Sequence, residues 1–336
     1  MPRIHPKPEV FDGLLRLFPE ERDRLLHLAR RCSHCRAAMA GEAEALPDAL
    51  EVPAALDTPD AGGQVLPWRP SQDEYGRTVD RVLAGFRPRI EGAAREREAA
   101  PLLLAELLEQ APERWEALVR GGERYRSLAL CGLLLERSCQ EGCEAPRQGE
   151  RLAAFALAIV GTLDPEWYGE RVLADVRARC WMLIGNARRV DADLRSSEQA
   201  FEAAEAYFRQ GTGDRLERAQ LLTYKACLRR AQCRFLEAAN LFRRAVSVFL
   251  EAGESRRAAE AIVGLALVER HRGEPERAIL LLERASVFVD RWQDERLHGL
   301  IRFNQILCLV DANRPLEARA VLARSREVFR FRGERS

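Results

Sequence analysis

From about Tyr75 to the end of the chain, apolar residues recur at steps of three and four, and Glu and Arg fill the positions between them. That spacing places apolar side chains on one face of an α-helix. Short Gly, Asn or Pro punctuation separates the blocks. Alternating Val/Ile/Thr runs, the mark of strands, never hold for more than a few residues, while Ala, Leu, Glu and Arg dominate. The expected fold class is all-α.

Self-comparison exposes a repeat. Phe235, Pro275 and Pro315 stand at equal intervals, and in step with them Ala238, Ala278 and Ala318 coincide. Leu241, Leu281 and Val321 follow, then Phe242, Leu282 and Leu322, then Ala245, Ala285 and Ser325. Two residues before each pivot stands Cys233, Gly273 or Asn313. Gly and Asn suit a left-handed position that ends a helix, and Cys suits it less. An earlier copy carries Ser197, Phe201 and Ala204. Each copy reads as a helix–turn–helix unit in which small residues let two helices approach and a large one fills the groove. No such unit buries its apolar face alone, so the copies must stack.

These positions resemble the tetratricopeptide repeat (TPR): the turn and pivot residues, the Ala positions, Phe242 and Ala245, with Gly185, Ala226 and Ala266 matching the small residue of the first helix. The interval exceeds the usual repeat of roughly 34 residues, so longer helices or loops are expected. The resemblance implies a TPR-like α-solenoid of stacked helix pairs over 166–336. Residues 76–165 read as degenerate helical repeats, with blocks at Leu102–Gln110, Tyr125–Cys139 and Arg151–Leu163. The order of segments, including EREAAPLLLAELL, LLERS and RARCWMLIGNARRVDADL, is similar to bacterial TPR proteins with a small Cys/His head. That likeness implies architecture and no activity.

Charge divides the rest. Residues 1–40 carry eight Lys/Arg against five Asp/Glu. Residues 41–75 hold five prolines, eight acidic residues and the single base Arg69, and read as an acidic Pro-rich linker. Over the whole chain of 336 residues the net charge is +1, which argues against a protein that grips nucleic acid by overall charge. No apolar run approaches the roughly 20 residues of a membrane span, and the N-terminus has no apolar signal-peptide core, so the expected location is cytoplasmic.

Of nine cysteines, seven are scattered through helical segments and are expected to be reduced and mostly buried. Cys32 and Cys35 form a C-x-x-C preceded by His27, in HLARRCSHC. Two thiolates on one turn and an imidazole upstream suit a tetrahedral zinc ion. The segment resembles the zinc-binding anti-sigma fold, whose His-x3-Cys-x2-Cys spacing is one residue shorter; no fourth ligand stands out, and the candidates are His5 and His34, then Asp12 and Asp23. The resemblance implies a helical, zinc-ordered head and a contact with the transcription machinery.

TPR arrays bind extended peptides on the face formed by their first helices. Eight residues before the aligned small residues stand Arg189, Arg230 and Arg270, a candidate ladder for an acidic partner. Arginine is also the ordinary complement of a helix C-terminus, which gives these three a purely structural reading. Phosphate-loop, nucleophile-elbow and H-E-x-x-H motifs are absent, so no enzyme is expected. The expected function is a protein-interaction scaffold for a protein or peptide, in transcriptional or signalling regulation. The alternative is a zinc or thiol redox sensor acting through Cys32 and Cys35. The chain also ends without a polar capping helix, which makes self-association through the last helix an expectation.

Overall fold

The repeated turns are where the helices break, and they break the same way each time. Ala192, Cys233, Gly273 and Asn313 all adopt a left-handed backbone, with φ of 66°, 58°, 79° and 56°. The residue after each donates its N–H back to the helix: Asp193 to the Arg188 carbonyl, Arg234 to Arg229, Glu274 to Glu269 and Arg314 to Leu309, at 2.8–3.0 Å. The left-handed residue itself bonds the carbonyl one position further on. This paired closure satisfies carbonyls that a helix end leaves open. The next helix begins at the expected pivot, and proline fits there because the first helical N–H has no partner to lose.

In this computed structural model residues 72–142, 144–289 and 294–333 are described. Among the described residues there are thirteen α-helices: α1 Gln72–Leu108, α2 Pro112–Gly121, α3 Leu128–Glu141, α4 Pro146–Val160, α5 Pro165–Tyr168, α6 Glu170–Val190, α7 Leu194–Gln210, α8 Arg215–Ala231, α9 Phe235–Ala252, α10 Ser255–His271, α11 Pro275–Val287, α12 Glu295–Asp311 and α13 Pro315–Gly333. No strand occurs among them. The chain divides into two units, residues 1–92 and 93–336. Within the first, only part of α1 is described; it opens at Gln72, in residues read above as the end of the linker.

The second unit is the TPR-like α-solenoid expected from the repeat. α3/α4, α6/α7, α8/α9, α10/α11 and α12/α13 are antiparallel pairs, each packed on the next. Successive first helices (α3, α6, α8, α10, α12) touch one another, and successive second helices have no comparable contact. The stack therefore bends toward the first-helix side, which is its concave face. The repeat columns form the core: Ser197, Ala238, Ala278 and Ala318 are buried, as are Phe201, Phe242 and Leu282. Leu322, in the same column of α13, is exposed.

Two glycines show how close the helices come. A β-carbon on Gly185 would lie 2.7 Å from the Phe201 ring, and one on Gly264 would lie 2.3 Å from the Phe242 ring. Gly185 meets Phe201 of its own pair, whereas Gly264 of α10 meets Phe242 of the preceding pair; Ala266, the small residue expected from the alignment, is also buried. The earlier helices share a second core, around Leu107, Trp115, Leu134, Phe155 and Ile159. Glu96 of α1 ties them together by accepting bonds from Ser127 Oγ (3.0 Å), the Leu128 N–H (2.9 Å) and Tyr168 Oη (2.6 Å).

The zinc-head residues His5, His27, Cys32, His34 and Cys35 lie outside the described residues. No described helix is long and apolar enough to cross a membrane.

Candidate functional site

Arg189, Arg230 and Arg270 are the penultimate residues of α6, α8 and α10. The common turn brings them to one end of the first-helix layer, because each precedes the left-handed residue by three positions and its carbonyl accepts that residue's N–H. Their guanidinium groups are engaged differently. Arg189 donates from Nε and Nη2 to Asn186 Oδ1, at 3.1 and 2.9 Å. Arg270 Nε is 2.5 Å from Asp311 Oδ2 of α12, so this member is neutralised by the next repeat. Arg230 Nε is buried and has no hydrogen-bond partner.

His271 stands beside the second and third arginines and stacks on Phe235, with ring centroids 5.8 Å apart. Burial, then the Arg230 and Arg270 charges, pushes its imidazole below the ordinary histidine value. A neutral histidine is the form that two adjacent cations favour. This end of the layer holds two guanidiniums, Arg189 and Arg230, that no carboxylate among the described residues neutralises.

Deeper in the concave face, the unit curls enough for non-neighbouring pairs to meet. Cys139 Sγ of α3 lies 3.8 Å from Tyr224 Oη of α8, past α6. Glu144, in the turn after α3, pairs with Arg296 of α12 at 3.3 Å, with side chains 77% and 76% exposed. An ion pair that exposed contributes at most about 1 kcal/mol, so it narrows the face without sealing it.

Sequence reasoning placed the three arginines in register but missed their partners. Asp311 had a usable signal, since it lies one repeat beyond Arg270. A similar spacing of opposite charges recurs in Arg256–Asp294, 38 residues apart and also bridging successive units, and in Arg215–Glu251, 36 residues apart and joining the two helices of one unit. Asn186 carried none.

The described cysteines split by environment. Cys131, Cys180 and Cys308 are buried, as expected, but Cys139 and Cys233 are exposed and Cys227 is intermediate. Cys233 is exposed because it occupies the repeat turn. Burial raises the Cys131 thiol well above its ordinary value, and brings Cys180 to about 12 and Cys308 to about 11. Thiols so shifted are poor nucleophiles and poor metal ligands. No group of three His, Cys, Asp or Glu side chains among the described residues is placed to hold a metal ion.

No family model and no curated protein matches the chain. Among solved structures the chain is similar to BtubC (BKLC) from P. vanneervenii, with 18% identity, a TM-score of 0.47, and coverage of 74% of this chain and 92% of that one. It is also similar to a putative kinesin light chain with nearly identical TPR-like repeats from Podosopora anserina, at 16% identity and a TM-score of 0.44, covering 60% and 96%. A variant of the latter gives 15% and 0.45, covering 66% and 99%. Neither an activity nor a partner passes from them to this chain.

Proposed function

We propose that the chain is a protein-interaction scaffold whose first-helix layer binds an extended peptide or protein segment bearing acidic side chains. The observation that carries this reading is that Arg189 and Arg230, at one end of the layer, have no carboxylate partner among the described residues. A guanidinium without a carboxylate partner gains a charge-assisted bond from a ligand carboxylate. Arg189, held in place by Asn186, supplies a second cation in the same register.

A selection from a random peptide library tests this, run in parallel on the full chain and on the R189A/R230A variant. Enrichment of Asp- and Glu-containing peptides by the parent, lost in the variant, supports the reading. No enrichment, or the same peptides from both, overturns it.

A second proposal concerns residues 1–40, where the His27, Cys32 and Cys35 spacing favours a zinc-binding head with His34 or His5 as fourth ligand. The expected zinc content is about one ion per chain, lost in a H27A/C32S variant. A redox sensor would in addition release the zinc under mild peroxide and regain it with reductant. Zinc-free protein purified without chelator would remove both.

A further inference from the structure

α7 meets α8 less closely than α9 meets α10 or α11 meets α12. The space left between them, bounded also by α9, is a cavity of about 280 Å³. Phe208, Leu221 and Leu222 form its apolar side. Arg209 from the last turn of α7, Arg218 from the first turn of α8 and Arg244 from α9 bring three guanidiniums to the same cavity, with Glu205 beside them.

The charge there is uncompensated. Glu205 is taken by Lys225 Nζ at 2.5 Å. Arg218 Nη2 donates to a neutral acceptor, the Phe208 carbonyl, at 2.7 Å. No carboxylate among the described residues pairs with Arg209, Arg218 or Arg244. Neighbouring arginines behave otherwise: Arg215 pairs with Glu251, Arg229 with Glu198 and Arg243 with Glu269. Three like charges around one concavity repel one another unless an anion joins them.

The cavity is also distinct from the concave face. Arg218, Leu221, Leu222 and Lys225 share one side of α8, and Gln220, Tyr224 and Cys227 share the opposite side. It therefore goes beyond the peptide-binding reading and does not depend on it.

We propose that this cavity binds a small organic anion with an apolar body. Its carboxylate or phosphate is held by Arg209, Arg218 and Arg244, and its body lies on Phe208, Leu221 and Leu222. Planar guanidiniums match the oxygens of either anion in bidentate fashion. The volume is at the small end of ligand sites, which selects a ligand of about one ring and its charged group.

The test is calorimetric titration of the full chain with phenylacetate, phenyl phosphate, inorganic phosphate and 2-phenylethanol. Saturable binding of a ring-bearing anion, tighter than inorganic phosphate and absent with the alcohol, is expected. A preference between the two ring-bearing probes assigns the anion as carboxylate or phosphate. In R209Q/R244Q the affinity should fall about tenfold or more with the melting temperature of the free protein unchanged. Both positions are exposed on helices, and R244Q alone gives an independent smaller loss should the double variant melt early. The proposal is overturned by no saturable binding of either ring-bearing anion, by inorganic phosphate binding as tightly as they do, or by affinities that neither variant changes.

Discussion

Ala192 and Cys233 hold a backbone that Gly273 holds at no steric cost. A left-handed residue other than glycine costs about 1–2 kcal/mol, offset in part by the greater freedom glycine has when unfolded. Cys233→Gly and Ala192→Gly should each stabilise the protein by about 0.5–1 kcal/mol, and Gly273→Ala should destabilise it by a similar amount. Urea midpoints of the three variants read this directly, and a loss of stability in Cys233→Gly would contradict the turn assignment. The thiols offer a second check at this scale. With iodoacetamide on the native protein, Cys139 and Cys233 should be labelled rapidly. Cys131, Cys180 and Cys308 should react only on unfolding, because burial removes both access and thiolate. Mass spectrometry of digested peptides separates the two groups.

Between elements, ring-on-backbone contacts set the spacing. Gly264→Ala forces a methyl group into the Phe242 ring and should cost about 1–3 kcal/mol, with Gly185→Ala against Phe201 behaving alike. Thermal or urea unfolding measures both. Arg229 joins three helices: it pairs with Glu198 of α7 at 2.6 Å, with Glu237 of α9 at 3.6 Å and with Gln232 at 2.7 Å. Its hydrogen bond to Glu198 holds that carboxyl below its ordinary value. A depressed carboxylate stabilises the fold above its unfolded value near 4.5 and loses that contribution as pH falls. Arg229→Met should therefore lower stability by about 1–2 kcal/mol at neutral pH and flatten the acid-side fall below roughly pH 4.5. An unchanged stability–pH curve in the variant would contradict this.

At the scale of the molecule, the stacked-pair fold was legible because the same turn, pivot and small residues return at a near-constant interval. Repetition turns weak local signals into a register. What did not repeat was not legible. Glu96 lies in a run of charges indistinguishable from a solvated face, and its role depends on where Ser127, Leu128 and Tyr168 arrive in space. Gly264 lies outside the repeated small-residue column, so its contact with Phe242 of the preceding pair had no aligned signal. The cavity arginines come from three helices at different repeat positions, so no one alignment column brings them together, although Arg244 shares its own column with Arg284 and Arg324. Arg189, Arg230 and Arg270 were found by register alone. Their unequal engagement with Asn186, with no partner and with Asp311 follows from residues outside that column.

The proposed site for an acidic peptide is the Arg189–Arg230 end of the first-helix layer. Hydrogen–deuterium exchange of the full chain with and without a Glu-rich peptide from the selection tests this most directly. Slower exchange is expected in the last turns of α6, α8 and α10 and in the turns that follow them, with α7 and α9 unchanged. Protection confined to α7 and α9, or none at saturating peptide, would contradict it.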